Sequence, residues 1–104
     1  MAEEFAGTVT RQPTERYPIT VDFAARLEGA ETISTCAVTA REQSAGTDVT
    51  STLLSGTASI DASVVTSPII QNGEDSTNYI ITFAATTSSG NIYEEDILVQ
   101  VREL

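Results

Sequence analysis

Apolar and polar residues alternate with a period of two along nearly the whole chain, and a helical period is almost nowhere to be found. A strand sends successive side chains to opposite faces, so this pattern predicts sheet throughout and requires no helix. Tyr17, Ile19, Val21 and Phe23 fall on one face of a strand over residues 17–23, with Thr20 and Asp22 on the other. Pro18, which has no N–H, suits the start of that strand or a sheet edge. In a second strand over 33–40, Ser34, Cys36, Val38 and Ala40 form the inward face and Ile33, Thr35, Ala37 and Thr39 the outward one, and Gly29 marks the preceding turn. Residues 49–54 and 57–61 read as short strands hinged at Ser55-Gly56, and residues 64–70 as a strand broken at Pro68. Asn72-Gly73 then opens a turn that runs through Ser76.

The clearest unit is a hairpin. Residues 78–87 and 92–101 alternate strongly and are joined by Ser88-Ser89-Gly90-Asn91, which predicts an inward face of Tyr79, Ile81, Phe83, Ala85, Ile97, Val99 and Val101. With residues 5–10 as an edge strand, the chain carries about seven or eight strands separated by turns at roughly ten-residue intervals, the spacing of a sandwich or barrel. Tyr79 begins a late strand with Ile81 two positions on, which is the tyrosine-corner position of an immunoglobulin-like domain. Val21 or Phe23 then stands opposite Ile81, and Cys36 falls where the third strand of such a domain often buries a Trp. The fold class read from these positions is all-β, an immunoglobulin-like antiparallel sandwich of about seven strands, with residues 1–104 forming one domain.

Composition agrees with sheet and narrows the chemistry. Ser and Thr make up about a quarter of the 104 residues, and Thr, stiff at its branched Cβ, suits a pleated surface. Fifteen acids stand against five cations, a net charge of −10. The cations, Arg11, Arg16, Arg26, Arg41 and Arg102, are scattered and form no stripe for phosphate, so neither nucleic acid nor an anionic membrane surface is an expected partner. Cys36 is the sole cysteine, so no intramolecular disulfide forms and packing alone must hold the domain. Residues 1–5 are acidic and lack the apolar segment of a signal peptide, and no run is long enough to span a membrane. Synthesis in a cytoplasm is the expectation.

No candidate chemistry survives comparison with a plainer explanation. The chain has no His, hence no imidazole base for a Ser or Cys nucleophile. Cys36 lies mid-strand with no cationic neighbour to lower its pKa and reads as a small core residue. Glu94, Glu95 and Asp96 form the densest acidic run; alternation lets only Glu94 and Asp96 share a face. Together with Glu74 and Asp75 they raise the question of a weak calcium site, but calcium-loop spacing is missing and a solvated face explains them better. Arg102 and Glu103 read as charges that block edge-to-edge pairing. The expected catalytic, cofactor-binding and metal sites are therefore none, and no cofactor is expected.

Two stretches carry a family resemblance. Asp22-Phe23-Ala24-Ala25-Arg26-Leu27 leads to Gly29-Ala30-Glu31-Thr32-Ile33 and the strand bearing Cys36; later, Tyr79-Ile80-Ile81-Thr82 precedes Thr86-Thr87-Ser88-Ser89-Gly90 and the acidic entry to the last strand. Both resemble the small Ig-like structural proteins of tailed phages and prophages, of the fibre–tail adaptor or head–tail region type. The likeness runs over about residues 17–102, with Cys36 in place of the usual Trp and nothing matching over 43–67. It implies a non-enzymatic role in virion assembly through protein–protein contacts. The implied partners are other virion or tail proteins, with a homo-oligomer left open, and the implied location is the virion. The alternative is an Ig-like module for carbohydrate or a host-surface ligand. That reading requires an exposed aromatic platform, for which only Tyr93 is free of the inward faces that hold Tyr17 and Tyr79.

Overall fold

The computed structural model describes residues 6–103. Residues 1–5, including the Phe5 end of the expected first strand and the acidic amino-terminal segment, lie outside the described residues, as does Leu104.

The described chain is built from strands and a single helical turn. In order they are β1 (Gly7–Arg11), β2 (Thr20–Asp22), β3 (Ile33–Glu42), α1 (Thr50–Leu53), β4 (Leu54–Ser55), β5 (Ser59–Asp61), β6 (Val64–Thr66), β7 (Ile69–Ile70), β8 (Thr77–Thr87) and β9 (Ile92–Val101). One sheet has the order β1-β9-β8-β3, a second β2-β6-β5, and β4 pairs with β7 in a two-stranded ribbon.

The β8–β9 hairpin forms as its alternation demands. Tyr79, Ile81, Phe83, Ala85, Ile97, Val99 and Val101 are all buried, and the strands pair antiparallel from Thr77↔Val101 to Thr86↔Ile92. Gly90 takes a left-handed φ of 87° in the connecting turn. Val21 of β2, Phe23 just after it and Val65 of β6 join the same apolar cluster, so the inner faces of the two sheets share one core. Leu53 and Ile70 extend it from the helical turn and the ribbon. Each such side chain, taken fully out of water, stabilises by roughly 1.5–3 kcal/mol.

The structure departs from the sequence expectation in several places, each for a physical reason. The sheets are not wholly antiparallel: β1 runs parallel to β9, Gly7↔Ile97 through Arg11↔Val101. Alternation records which face a residue occupies and carries nothing about strand direction. Residues 49–54 do not form a strand. Val49, Leu53 and Leu54 are spaced as on one side of a helix, the Asp48 carboxylate accepts the Thr50 N–H at 2.9 Å, and a single turn closes between Leu53 N–H and Val49 O. Pairing shifts between Ile33 and Thr35, so the extra residue at this bulge turns Ile33 inward and leaves Ser34 exposed, the reverse of the expectation. Beyond the bulge Cys36, Val38 and Ala40 face the core as predicted.

The expected strand over 17–23 shortens to Thr20–Asp22, with Tyr17 making a lone bridge to Ile70. The expected break at Pro68 separates β6 from β7. Arg102 and Glu103 do not guard an edge, because β1 covers that side of β9. They tie the end of β9 to the start of β8: Arg102 donates to Asn78 Oδ1 at 2.7 Å, and the Glu103 N–H to Asp75 Oδ1 at 2.8 Å.

Candidate functional site

Polar side chains converge at both ends of the long hairpin. Where β8 turns into β9, the buried Glu31 carboxylate accepts from the Thr87 hydroxyl, from Asn91 Nδ2 at 2.8 Å, from the Tyr93 hydroxyl at 3.3 Å and from the Glu28 N–H at 3.1 Å. The Thr87 hydroxyl, then the Glu28 N–H, hold this carboxyl below the ordinary glutamate range against the opposing effect of burial. Burial, and then the negative charge of Glu31, push the Tyr93 phenol up. Arg26 lies 5.0 Å from the centre of the Tyr93 ring and pairs with Glu95. The loop before β3 is thus pinned to the hairpin tip by acceptors filled from several directions.

Arg11 organises the other end. It lies on the inner face of β1 in register with Gly7 and Val9, and is 1% exposed. Its guanidinium donates to the carbonyls of Asn72 (2.6 Å), Pro13 (3.4 Å) and Glu15, joining the loop after β1 to the Asn72-Gly73 turn. Burial lowers its pKa, opposed by the phenol of Tyr17 and the carboxylate of Glu15. Among the described residues its Nε is the buried side-chain polar atom without a partner. Close by, the Tyr79 hydroxyl accepts the Glu74 N–H at 3.0 Å. A cavity of about 220 Å³ opens beside this end, lined by Glu42, Gln43, Ser44, Ser76, Thr77 and Asn78.

Neither end presents a nucleophile with a base. Cys36 is half-buried on the inner face of β3, and desolvation pushes its thiol up, away from the reactive thiolate. Glu94 and Asp96 do share the outer face of the four-stranded sheet, opposite Ala84 and Thr82, and Asp96 accepts from the Thr82 hydroxyl at 2.8 Å. Glu74 and Asp75 sit at the far end of the hairpin, beyond the Thr77↔Val101 pair, so the two acidic groups are not brought together. Among the described residues no three His, Cys, Asp or Glu side chains are grouped to hold a metal ion. Tyr79 is buried and Tyr17 half-buried, while the Tyr93 ring lies beneath Arg26, so none of the three presents an open aromatic face. Among the described residues no helix is long and apolar enough to cross a membrane.

What remains for recognition is surface. The outer face of the four-stranded sheet carries Thr35, Ala37 and Thr39 of β3 beside Thr86, Ala84 and Thr82 of β8, short side chains that leave the face flat. Glu94 and Asp96 continue it onto β9. Glu31 and Arg11 are the residues the sequence did not flag. Period-two alignment with Val9 was a usable sign for Arg11; for Glu31, whose side-chain partners lie 56 to 62 positions away, there was none. No protein of the curated set matches the chain. One family model does, that of podophage GP4 fiber-tail adaptor protein gp77, over residues 11–100.

Proposed function

The chain belongs to the family of podophage GP4 fiber-tail adaptor protein gp77, and on that premise we propose that it is a non-enzymatic structural subunit of a phage tail. It works through protein–protein contacts with other virion proteins, as one immunoglobulin-like domain over residues 1–104, and takes its place in the assembled particle. The observation that carries this reading is the family match over residues 11–100, which covers β2 through β8 and β9 as far as Gln100.

The immunoglobulin-like assignment draws support from strand order. The sheets β1-β9-β8-β3 and β2-β6-β5 follow the order of an immunoglobulin-type pair, in which a first strand lies against the last and strands two, four and five of the framework form the facing sheet. The Tyr79 hydroxyl, bonded to a backbone N–H five positions upstream, has the geometry of a tyrosine corner. A net charge of −10 favours a partner with basic contact residues and disfavours nucleic acid. The carbohydrate-module alternative gains nothing from Tyr93, whose ring is occupied by Arg26.

The experiment is binding of the purified full-length chain to the purified tail and to the purified fibre of the phage that encodes it, followed by sedimentation. Co-sedimentation with either is the expected result. Binding to neither, with hits on a glycan array, would replace the adaptor reading with the carbohydrate one.

A further inference from the structure

Resting on the adaptor reading, we propose that the open edge of β3 at Cys36 and Val38 receives an extended strand from another protein. That strand is uncharged where it pairs and carries Lys or Arg at both ends.

The edge is defined by what is covered on either side of it. One side of β3 pairs with β8 from Thr35 to Glu42. On the other side, Glu42 N–H bonds Thr47 O and Val49 N–H bonds Ala40 O, both at 2.9 Å, while the Ala40 N–H bonds Thr50 Oγ1 at 3.0 Å. At the opposite end the bonds of Thr32 lie on the β8 side: its N–H donates to Ser88 Oγ at 3.0 Å and its carbonyl accepts the Ser88 N–H at 2.7 Å, one residue past the end of β8. Backbone direction alternates along a strand, so the outward pointing of Ala40 and Glu42 turns the N–H and C=O groups of Val38 and Cys36 outward too. Among the described residues no hydrogen bond reaches those four groups.

Proteins protect such edges with charge, proline, a bulge or brevity. From Ile33 to Ala40 the strand has no charge, no Pro and no Gly, and its bulge lies before Thr35, outside the gap. The edges of the second sheet, β2 and β5, are each three residues long and end in Asp22 and Asp61. The far edge of the first sheet, β1, has five residues, begins with Gly7 and ends in Arg11. An unprotected edge with a row of free donors and acceptors is the geometry used for strand addition, where main-chain bonds supply the affinity.

Charge selects the occupant. Antiparallel pairing of two copies would bring together chains that each carry a net charge of −10. Like charges in that arrangement oppose association. Glu42 and Asp48 at the covered end of the gap, together with the net charge of −10, attract a strand with basic flanks.

The test is amide hydrogen exchange on the isotope-labelled full-length chain. The probe is a synthetic peptide with a Thr-Val-Thr-Val-Thr centre and two lysines at each end, compared with the same peptide carrying glutamates instead. In the free chain Cys36 and Val38 should exchange freely while Ala37 and Thr39, bonded to β8, are protected. The lysine peptide should slow Cys36 and Val38 by about tenfold or more at saturation, and the glutamate peptide should not. The proposal is overturned by no slowing with the lysine peptide, or by slowing at Thr8 and Thr10 of β1 instead. Protection in the free chain that rises with its own concentration would assign the edge to a second copy and overturn it equally. A Val38→Pro variant keeps every bond to β8 and removes an outward donor, so it should retain Ala37 and Thr39 protection and lose the peptide effect. The wild-type exchange result stands whether or not that variant folds. A phage carrying Val38→Pro that holds a normal fibre content overturns the edge proposal alone. Absence of the wild-type chain from virions overturns the adaptor reading instead.

Discussion

Replacing Gly73 by Ala tests how tightly the Asn72-Gly73 turn is built into the core. Asn72 and Gly73 both have left-handed φ, 57° and 91°. A Cβ on Gly73 would meet Val101 Cγ2 at 3.0 Å and Tyr79 Cε2 at 3.2 Å, and both side chains are buried, with no room to retreat. The left-handed backbone costs Ala about 1–2 kcal/mol. Forcing a methyl into a filled core adds about 1–3 kcal/mol. Reduced freedom of the unfolded chain returns about 0.4–1 kcal/mol, leaving a net loss of about 2–4 kcal/mol. Gly90 is the internal control: its φ is 87°, and a Cβ there meets nothing within 4 Å. Gly90→Ala should therefore lose only the backbone cost, less the same return, or about 1 kcal/mol. In a domain of this size 1 kcal/mol moves Tm by about 4–8 °C, so thermal unfolding by circular dichroism should separate the variants by roughly 5 °C or more. Equal losses at the two glycines, or a smaller loss at Gly73, would refute the packing of this turn against Tyr79 and Val101.

Three further outcomes follow from the polar network. Arg11→Met leaves the carbonyls of Asn72, Pro13 and Glu15 without their donor; urea unfolding should show a loss of about 2–4 kcal/mol, and Arg11→Lys, a point donor without the fork, an intermediate loss. Because Glu31 titrates lower folded than unfolded, its contribution is complete at neutral pH and disappears as pH falls from the ordinary glutamate value through the lowered one. A stability–pH curve of Glu31→Gln should flatten in that acid window but keep a residual slope, since Asp22 and Asp48 are also held low, by the Ala24 and Thr50 N–H groups respectively. Cys36, half-buried with its thiol pushed up, should react with a thiol reagent at pH 7 more slowly in the folded chain than in urea, and equal rates would contradict its placement on the inner face of β3.

The hairpin was legible from alternation alone because β8 and β9 are long, local in sequence and buried on one face, so every second residue reports the same surface. The turn residues were legible as well, since Asn72, Gly73 and Gly90 all adopt the φ that their type permits most readily. The direction of β1 was not, because a parallel and an antiparallel partner impose identical alternation on Gly7, Val9 and Arg11. The helical turn at Thr50–Leu53 hides in a short segment where the periods of helix and strand cannot be told apart. Arg11 and Glu31 were passed over because charged residues are surface by default, and their burial is explained by acceptors and donors far away in sequence. The open part of β3 depends on where residues 47–50 stop covering it, which only the assembled sheet determines.

The role proposed for this chain is a structural part of the virion that joins its tail to a fibre. Its most direct test is to delete the gene from the phage that encodes it and compare the purified particles with wild type by quantitative mass spectrometry and negative-stain microscopy. The chain should be present in wild-type particles in fixed ratio to the tail proteins, and particles made without it should keep their tails but lose fibre protein. Wild-type particles lacking the chain, together with an unchanged fibre content in the deletion, would contradict it.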